Sequence, residues 1–186
     1  GDWCWDMHPF VVNKETKKLV LNNICALLNN DIKCNAFENI IFCWVMHEQS
    51  IIDDLLSRLD LNDVIVIAIS LVCQKEALEK RIQKDIDQGI RKPDVLARSV
   101  ERLEMYQKLN TYKIDVSNKK IEEIVKEIIK EFTAKQTQAL EKYGVKLSSF
   151  KLVNNLLLTK KEDKSVSPKA KTCKLNYFLK LIIVLK

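Results

Sequence analysis

The chain has 186 residues, enough for one domain with a sizeable core and too few for two comfortable ones. Hydrophobic residues make up 47% and charged residues 30%, a globular balance, with a net charge of +6. Its three glycines, Gly1, Gly89 and Gly144, stand far apart, so this sequence contains no GxxxxGK(S/T) or GxGxxG phosphate loop.

Six cysteines form no CxxC pair, and no leader-like segment stands before them. This pattern predicts reduced thiols in a cytoplasmic protein rather than a disulfide framework. His8 and His47 complete no Cys/His zinc box at usable spacing, so no metal site is expected. The charge is unevenly spread. Residues 1–132 carry 19 Lys/Arg against 22 Asp/Glu, whereas residues 133–186 carry 12 Lys against three acids. An acidic body with a basic extension is therefore expected, divided near Phe132.

Taken in order, Thr16–Asn29 predicts a helix with Leu19, Ile24, Leu27 and Leu28 near one face and Asn13 or Thr16 as its cap. Asn39–Val45 is a short apolar run and predicts a strand buried on both faces. Glu48–Leu59 returns to helical spacing, and Val64–Val72 is a second buried strand rich in β-branched residues. Gln74–Asp87 and Pro93–Leu109 read as two polar helices joined around Gly89, with the proline suited to a first turn. Tyr112–Val116 is a short strand, and Ser117 or Asn118 can cap a helix over Lys119–Phe132. This alternation predicts an α/β fold, a parallel sheet with helices on both faces.

Beyond Phe132 the pattern changes. Lys160–Lys171 is polar and rich in Lys and Ser, as in a linker. Leu175–Leu185 is apolar but falls short of the roughly 20 residues that cross a bilayer, and Lys180 interrupts it, so no membrane span is expected. The extension's lysines could contact phosphate backbones, but no arginine and few aromatics accompany them, so no specific nucleic-acid reading is expected.

Three stretches carry a resemblance: Gly1–Phe10 (GDWCWDMHPF), Asn39–Ile52 (NIIFCWVMHEQSII) and Ile69–Ser117. They resemble bacterial P-loop kinase-like ATPases, distantly similar to gluconate and shikimate kinases, from Gly1 to about Glu131. The resemblance implies a P-loop kinase type of sheet whose first strand and phosphate loop are missing from an N-terminally incomplete chain. It implies ATP and Mg²⁺ as cofactors and a small hydroxyl-bearing substrate as partner. It also implies that the missing strand lies between Asn39–Val45 and Val64–Val72. The only leftover segment with strand character, Tyr177–Leu185, suits a buried parallel position and is expected to occupy or cover that slot; the alternative is that the two strands close directly on each other and the run packs elsewhere as a helix.

The resemblance assigns roles residue by residue. Asp2 heads the acceptor-side loop, where a carboxylate can accept or orient a hydroxyl proton for in-line attack. Trp3, Trp5, Asp6 and His8 follow as a substrate wall; alternate tryptophans that pack the loop onto the sheet are the bland alternative. Arg81, Arg91, Arg98 and Arg102 resemble a mobile lid: Arg81 and Arg91 act on the transferring phosphate, Arg98 on nucleotide, and Arg102 with Tyr106 on the acceptor. An ordinary solvated face paired with Asp85, Asp87 and Glu101 is the alternative. Asp115, Ser117 and Asn118 would pack against adenine, or simply cap a helix. His47 follows the first strand of this sequence, a position beyond a strand's carboxyl end where ligands sit.

Two functional expectations follow. The first is a small-molecule kinase that transfers the ATP γ-phosphate if intact and is inactive as this chain. The second is a non-catalytic protein that binds a ligand or a protein.

Overall fold

The computed structural model describes residues 1–37, 39–62, 64–142 and 180–185. A 3-10 turn, Asp2–Trp5, comes first, followed by α1, Lys14–Lys33. Then come β1 (Asn39–Trp44), α2 (Gln49–Ser57), β2 (Ile65–Val72), α3 (Lys75–Asp87), α4 (Asp94–Gln107), β3 (Tyr112–Asp115), α5 (Ile121–Lys142) and β4 (Lys180–Leu185). The class is α/β.

The four strands form one sheet in the order β1-β4-β2-β3. β2 and β3 are parallel, with Ile69 opposite Tyr112 and Val72 opposite Asp115. β4 lies between β1 and β2 and is antiparallel to both. Ile41 and Ile67 both pair with Ile183, and Trp44 and Ser70 both pair with Lys180. β1, β2 and β3 therefore share one direction, and their carboxyl ends gather on one side. The C-terminal run does enter the slot expected of it, but in the opposite sense. An apolar run with ladder groups on both edges can satisfy either direction. Residues 177–179 of that run, the linker 160–171 and Cys173 lie outside the described residues.

α1 begins with a reciprocal cap. Asn13 Oδ1 accepts from the Thr16 N–H at 2.8 Å, and the Asn13 N–H donates to Thr16 Oγ1 at 2.9 Å. Its buried side is Val20, Ile24, Cys25, Leu28 and Ile32. Leu19 and Leu27, expected inside, are exposed. The stripe i, i+4, i+8, i+12 running from Val20 to Ile32 faces the core, and the two leucines sit one position before it, rotated outward. The helix on Lys119–Phe132 also differs: α5 continues without a break to Lys142, across the expected division near Phe132.

β1 is one-sided rather than buried on both faces. Ile40 and Phe42 point inward, whereas Ile41 is 68% exposed. It is an edge strand, and alternation puts neighbouring residues on opposite faces. β2 lies inside the sheet, and its second half, Ile69 to Val72, is buried on both faces. α4 and α5 pack on β2, and α3 packs on α4. Leu78, Ile82, Tyr106 and Ile114 join Ile69 in the core there.

Among the described residues no helix is long and apolar enough to cross a membrane. The five cysteines in that set carry free thiols. Replacing Asn13 with Ala removes the cap of α1 and is expected to cost about 1 kcal/mol of unfolding free energy, read from urea titration with unchanged slope.

Candidate functional site at the carboxyl ends of the strands

Two clusters form at the carboxyl ends of β1, β2 and β3. The first seats the N-terminal turn on β1. The Gly1 nitrogen donates to the Cys43 carbonyl at 3.0 Å. A Cβ added to Gly1 would lie 2.3 Å from Trp44 Cγ and 2.7 Å from its Cβ, so only the hydrogen-bearing α-carbon of glycine fits against this indole. Trp44 in turn lies beside Phe42, ring centroids 6.4 Å apart. The turn closes through Cys4 N–H to Gly1 O, Asp6 N–H to Trp3 O and Met7 N–H to Trp5 O, at 3.0, 3.1 and 2.8 Å. It also packs against α1.

This seat divides the expected substrate wall. Trp3 is 93% exposed, while Trp5 is half-buried, packs against the core and meets Phe10 at 6.1 Å between ring centroids. The two indoles thus have separate environments. Asp2, Asp6 and His8 are exposed beside Trp3 in the sequence of the turn. His47 follows β1, half-buried, with Nε2 3.5 Å from Glu48 Oε1.

The second cluster joins the ends of β2 and β3. Asp115 Oδ1 accepts from the Ser117 N–H at 2.8 Å and from Ser117 Oγ–H at 2.5 Å. Ser117 Oγ accepts from the Gln74 N–H at 2.8 Å, tying this loop to the loop after β2. The Ser117 hydroxyl and amide hold the Asp115 carboxyl below its usual value, with help from Lys119 and Arg81. Nearby, burial pushes the Cys73 thiol up, opposed by Arg81. Ser117 does not cap α5. The Lys120 N–H is taken instead by Glu123 Oε2 at 2.7 Å, and the first turn of α5 closes on the Lys120 carbonyl. Asn118 is exposed next to this cluster.

Three of the four arginines expected in a lid take separate polar partners. Arg81, on α3, donates to the Val116 and Ser117 carbonyls at 2.6 and 2.9 Å, so it fastens the loop after β3. Arg91 pairs through Nε with Asp85 Oδ2 at 2.9 Å. This bond staples the α3–α4 corner, where Gly89 has φ +68° and the Gly89 and Ile90 N–H groups close on the Ile86 and Asp85 carbonyls. Arg98 pairs with Asp94 at 2.7 Å on the exposed side of α4. Arg102 lies close enough to Tyr106 to oppose the rise of its phenol, but Tyr106 itself is fully enclosed. Its ring is the largest fully buried side chain among the described residues and packs in the core. A spacing rule sees Arg-x-x-x-Tyr on one helix face; only the neighbouring elements decide that the tyrosine faces inward.

At the carboxyl side of the sheet, the position between β1 and β2 holds the amino end of β4, at Lys180. A phosphate cradle there needs a strand ending toward the site and a helix N-terminus after it. Arg81, the arginine nearest the strand ends by its bonds, donates to main-chain carbonyls. Reading of the sequence missed Cys43, Trp44 and Gln74, which position the site; the one available signal was an aromatic residue at the end of an apolar run. Comparison with protein-family models, curated proteins and solved structures found no match to any of them.

Ser117→Ala is expected to lower stability at neutral pH. A depressed folded carboxyl pKa stabilises the fold fully above the ordinary value of 3.8 and loses that contribution as pH falls through the folded value. Denaturant midpoints of the variant and the parent should therefore differ most at pH 7, and the gap should narrow on acidification below about pH 3.8 to the part due to the lost Gln74 N–H bond.

Proposed function

We propose that the chain is built on the plan of the P-loop small-molecule kinases related to gluconate and shikimate kinases. As it stands, it binds a small hydroxyl-bearing ligand and transfers no phosphate. The observation that carries this reading is the common direction of β1, β2 and β3 with the N-terminal turn seated where they end. In open α/β sheets ligands lie outside the carboxyl ends of the strands. The N-terminal turn carries Asp2, Trp3 and Asp6, an exposed indole and two exposed carboxylates within five residues. Such a set suits a polyol: an indole covers the apolar face of the carbon chain, and carboxylates accept hydroxyl protons.

An intact kinase of this plan would move the ATP γ-phosphate, with Mg²⁺ bridging the phosphates, to the acceptor hydroxyl oriented by Asp2. Against transfer stands the antiparallel β4 between β1 and β2, where the amino end of a strand lies at the carboxyl side of the sheet.

Titration calorimetry with ATP and Mg²⁺ is expected to show binding far weaker than about 1 µM, and a coupled assay no Mg²⁺-dependent release of ADP. A dissociation constant of about 1 µM or tighter overturns the reading. Polyols and hydroxy acids such as gluconate and shikimate should perturb the indole fluorescence of the parent. Trp3→Ala should remove that response without shifting the unfolding midpoint, because Trp3 is 93% exposed.

A further inference from the structure

β1 and β2 run in the same direction, and the strand that joins them is β4. Each residue of β4 from Lys180 to Leu185 has a partner on both sides, Trp44 to Asn39 on one and Ser70 to Ile65 on the other. β1 is also the seat of the N-terminal turn, through the Cys43 carbonyl and the Trp44 side chain. Cys43 and Trp44 stand opposite Leu181 and Lys180, at the first two residues of β4. The element that completes the sheet thus pairs with the residues that hold the turn.

We propose that β4 is a detachable latch. When it docks between β1 and β2 it fixes the N-terminal turn, and when it leaves, the turn is released with the end of β1. That the turn holds a ligand rests on the function proposed above; the mechanical coupling does not.

The two flanks of β4 do not depend on it equally. β2 keeps its parallel ladder to β3 and its packing on α4 and α5. β1, among the described residues, has no strand ladder other than the one with β4. Elements held by few interactions open first and as units, so undocking of β4 loosens β1 ahead of the β2–β3 half. Linkage then makes the coupling reciprocal: whatever stabilises the seated turn also stabilises docked β4, by the same factor.

Amide hydrogen exchange on the full chain tests this without any ligand. Ile183→Pro removes a ladder donor at the centre of β4 and obstructs the pairing. Exchange should accelerate about tenfold or more in β1 and at the Cys4, Asp6 and Met7 amides that close the turn. The Val116 amide, bonded to the Val72 carbonyl at 2.8 Å, should keep its rate. Faster exchange in β1 with unchanged rates at Cys4, Asp6 and Met7 overturns the proposal, as does no acceleration in β1. Should the variant lose protection throughout, a locked chain decides. Ile41→Cys with Ile183→Cys places cysteines at directly opposite positions. With that disulfide formed and verified by peptide mass, exchange at the turn should slow about tenfold; an unchanged rate overturns the latch. A negative polyol titration would refute the ligand reading and leave this result standing.

Discussion

The ladder between β4 and its two neighbours is the constraint on which the rest of this structure depends. Buried backbone N–H and C=O groups must be bonded, and two strands on either side of an empty position cannot bond each other. β1 and β2 stand in that relation, and β4 supplies partners to both along all six of its residues. The pairing does more than fill space. It fixes the register of β1 against β2, so that the carboxyl ends of β1, β2 and β3 lie on one side. Every candidate functional group discussed above is placed relative to that side.

At those ends several polar groups are committed to the protein's own groups. Ser117 serves Asp115 and Gln74, Arg81 serves two carbonyls, and the Gly1 nitrogen serves Cys43. Such bonds add modest net stability each, but breaking one strands a desolvated partner. The result is a fixed floor. What faces solvent above it is the N-terminal turn, with Asp2, Trp3 and Asp6. Of the arginines in α3 and α4, Arg81 holds the loop after β3 and Arg91 holds the α3–α4 corner.

The α3–α4 corner shows the same economy. Gly89 takes the positive φ that a reversal after a helix requires, and Asp85 uses both its carbonyl and its carboxylate on residues just past the turn. An ion pair of which both members are mostly covered gains more than an exposed pair. The exposed Arg98–Asp94 pair, one turn apart on α4, contributes little. The sequence shows four arginines close together; the structure gives Arg81, Arg91 and Arg98 three different partners.

Local pattern determined the elements. Short apolar runs of branched and aromatic residues specified β1 and β2, a short segment after α4 specified β3, helical spacing specified the helices, and Gly89 specified the corner, because each depends on residues within a few positions. The strand character of the C-terminal run and its fitness for the slot were legible for the same reason. Which face each element buries was not. Leu19 and Leu27 sit outside and Val20 and Cys25 inside on α1, Ile41 is bare on β1, and Tyr106 is enclosed on α4. Those outcomes depend on what lies across from each residue, and residues distant in sequence supply it. The direction of β4 belongs to the same group, because either sense satisfies the ladder groups of a single strand. The chain's own residues decide what can pair; the assembled sheet decided which way it does.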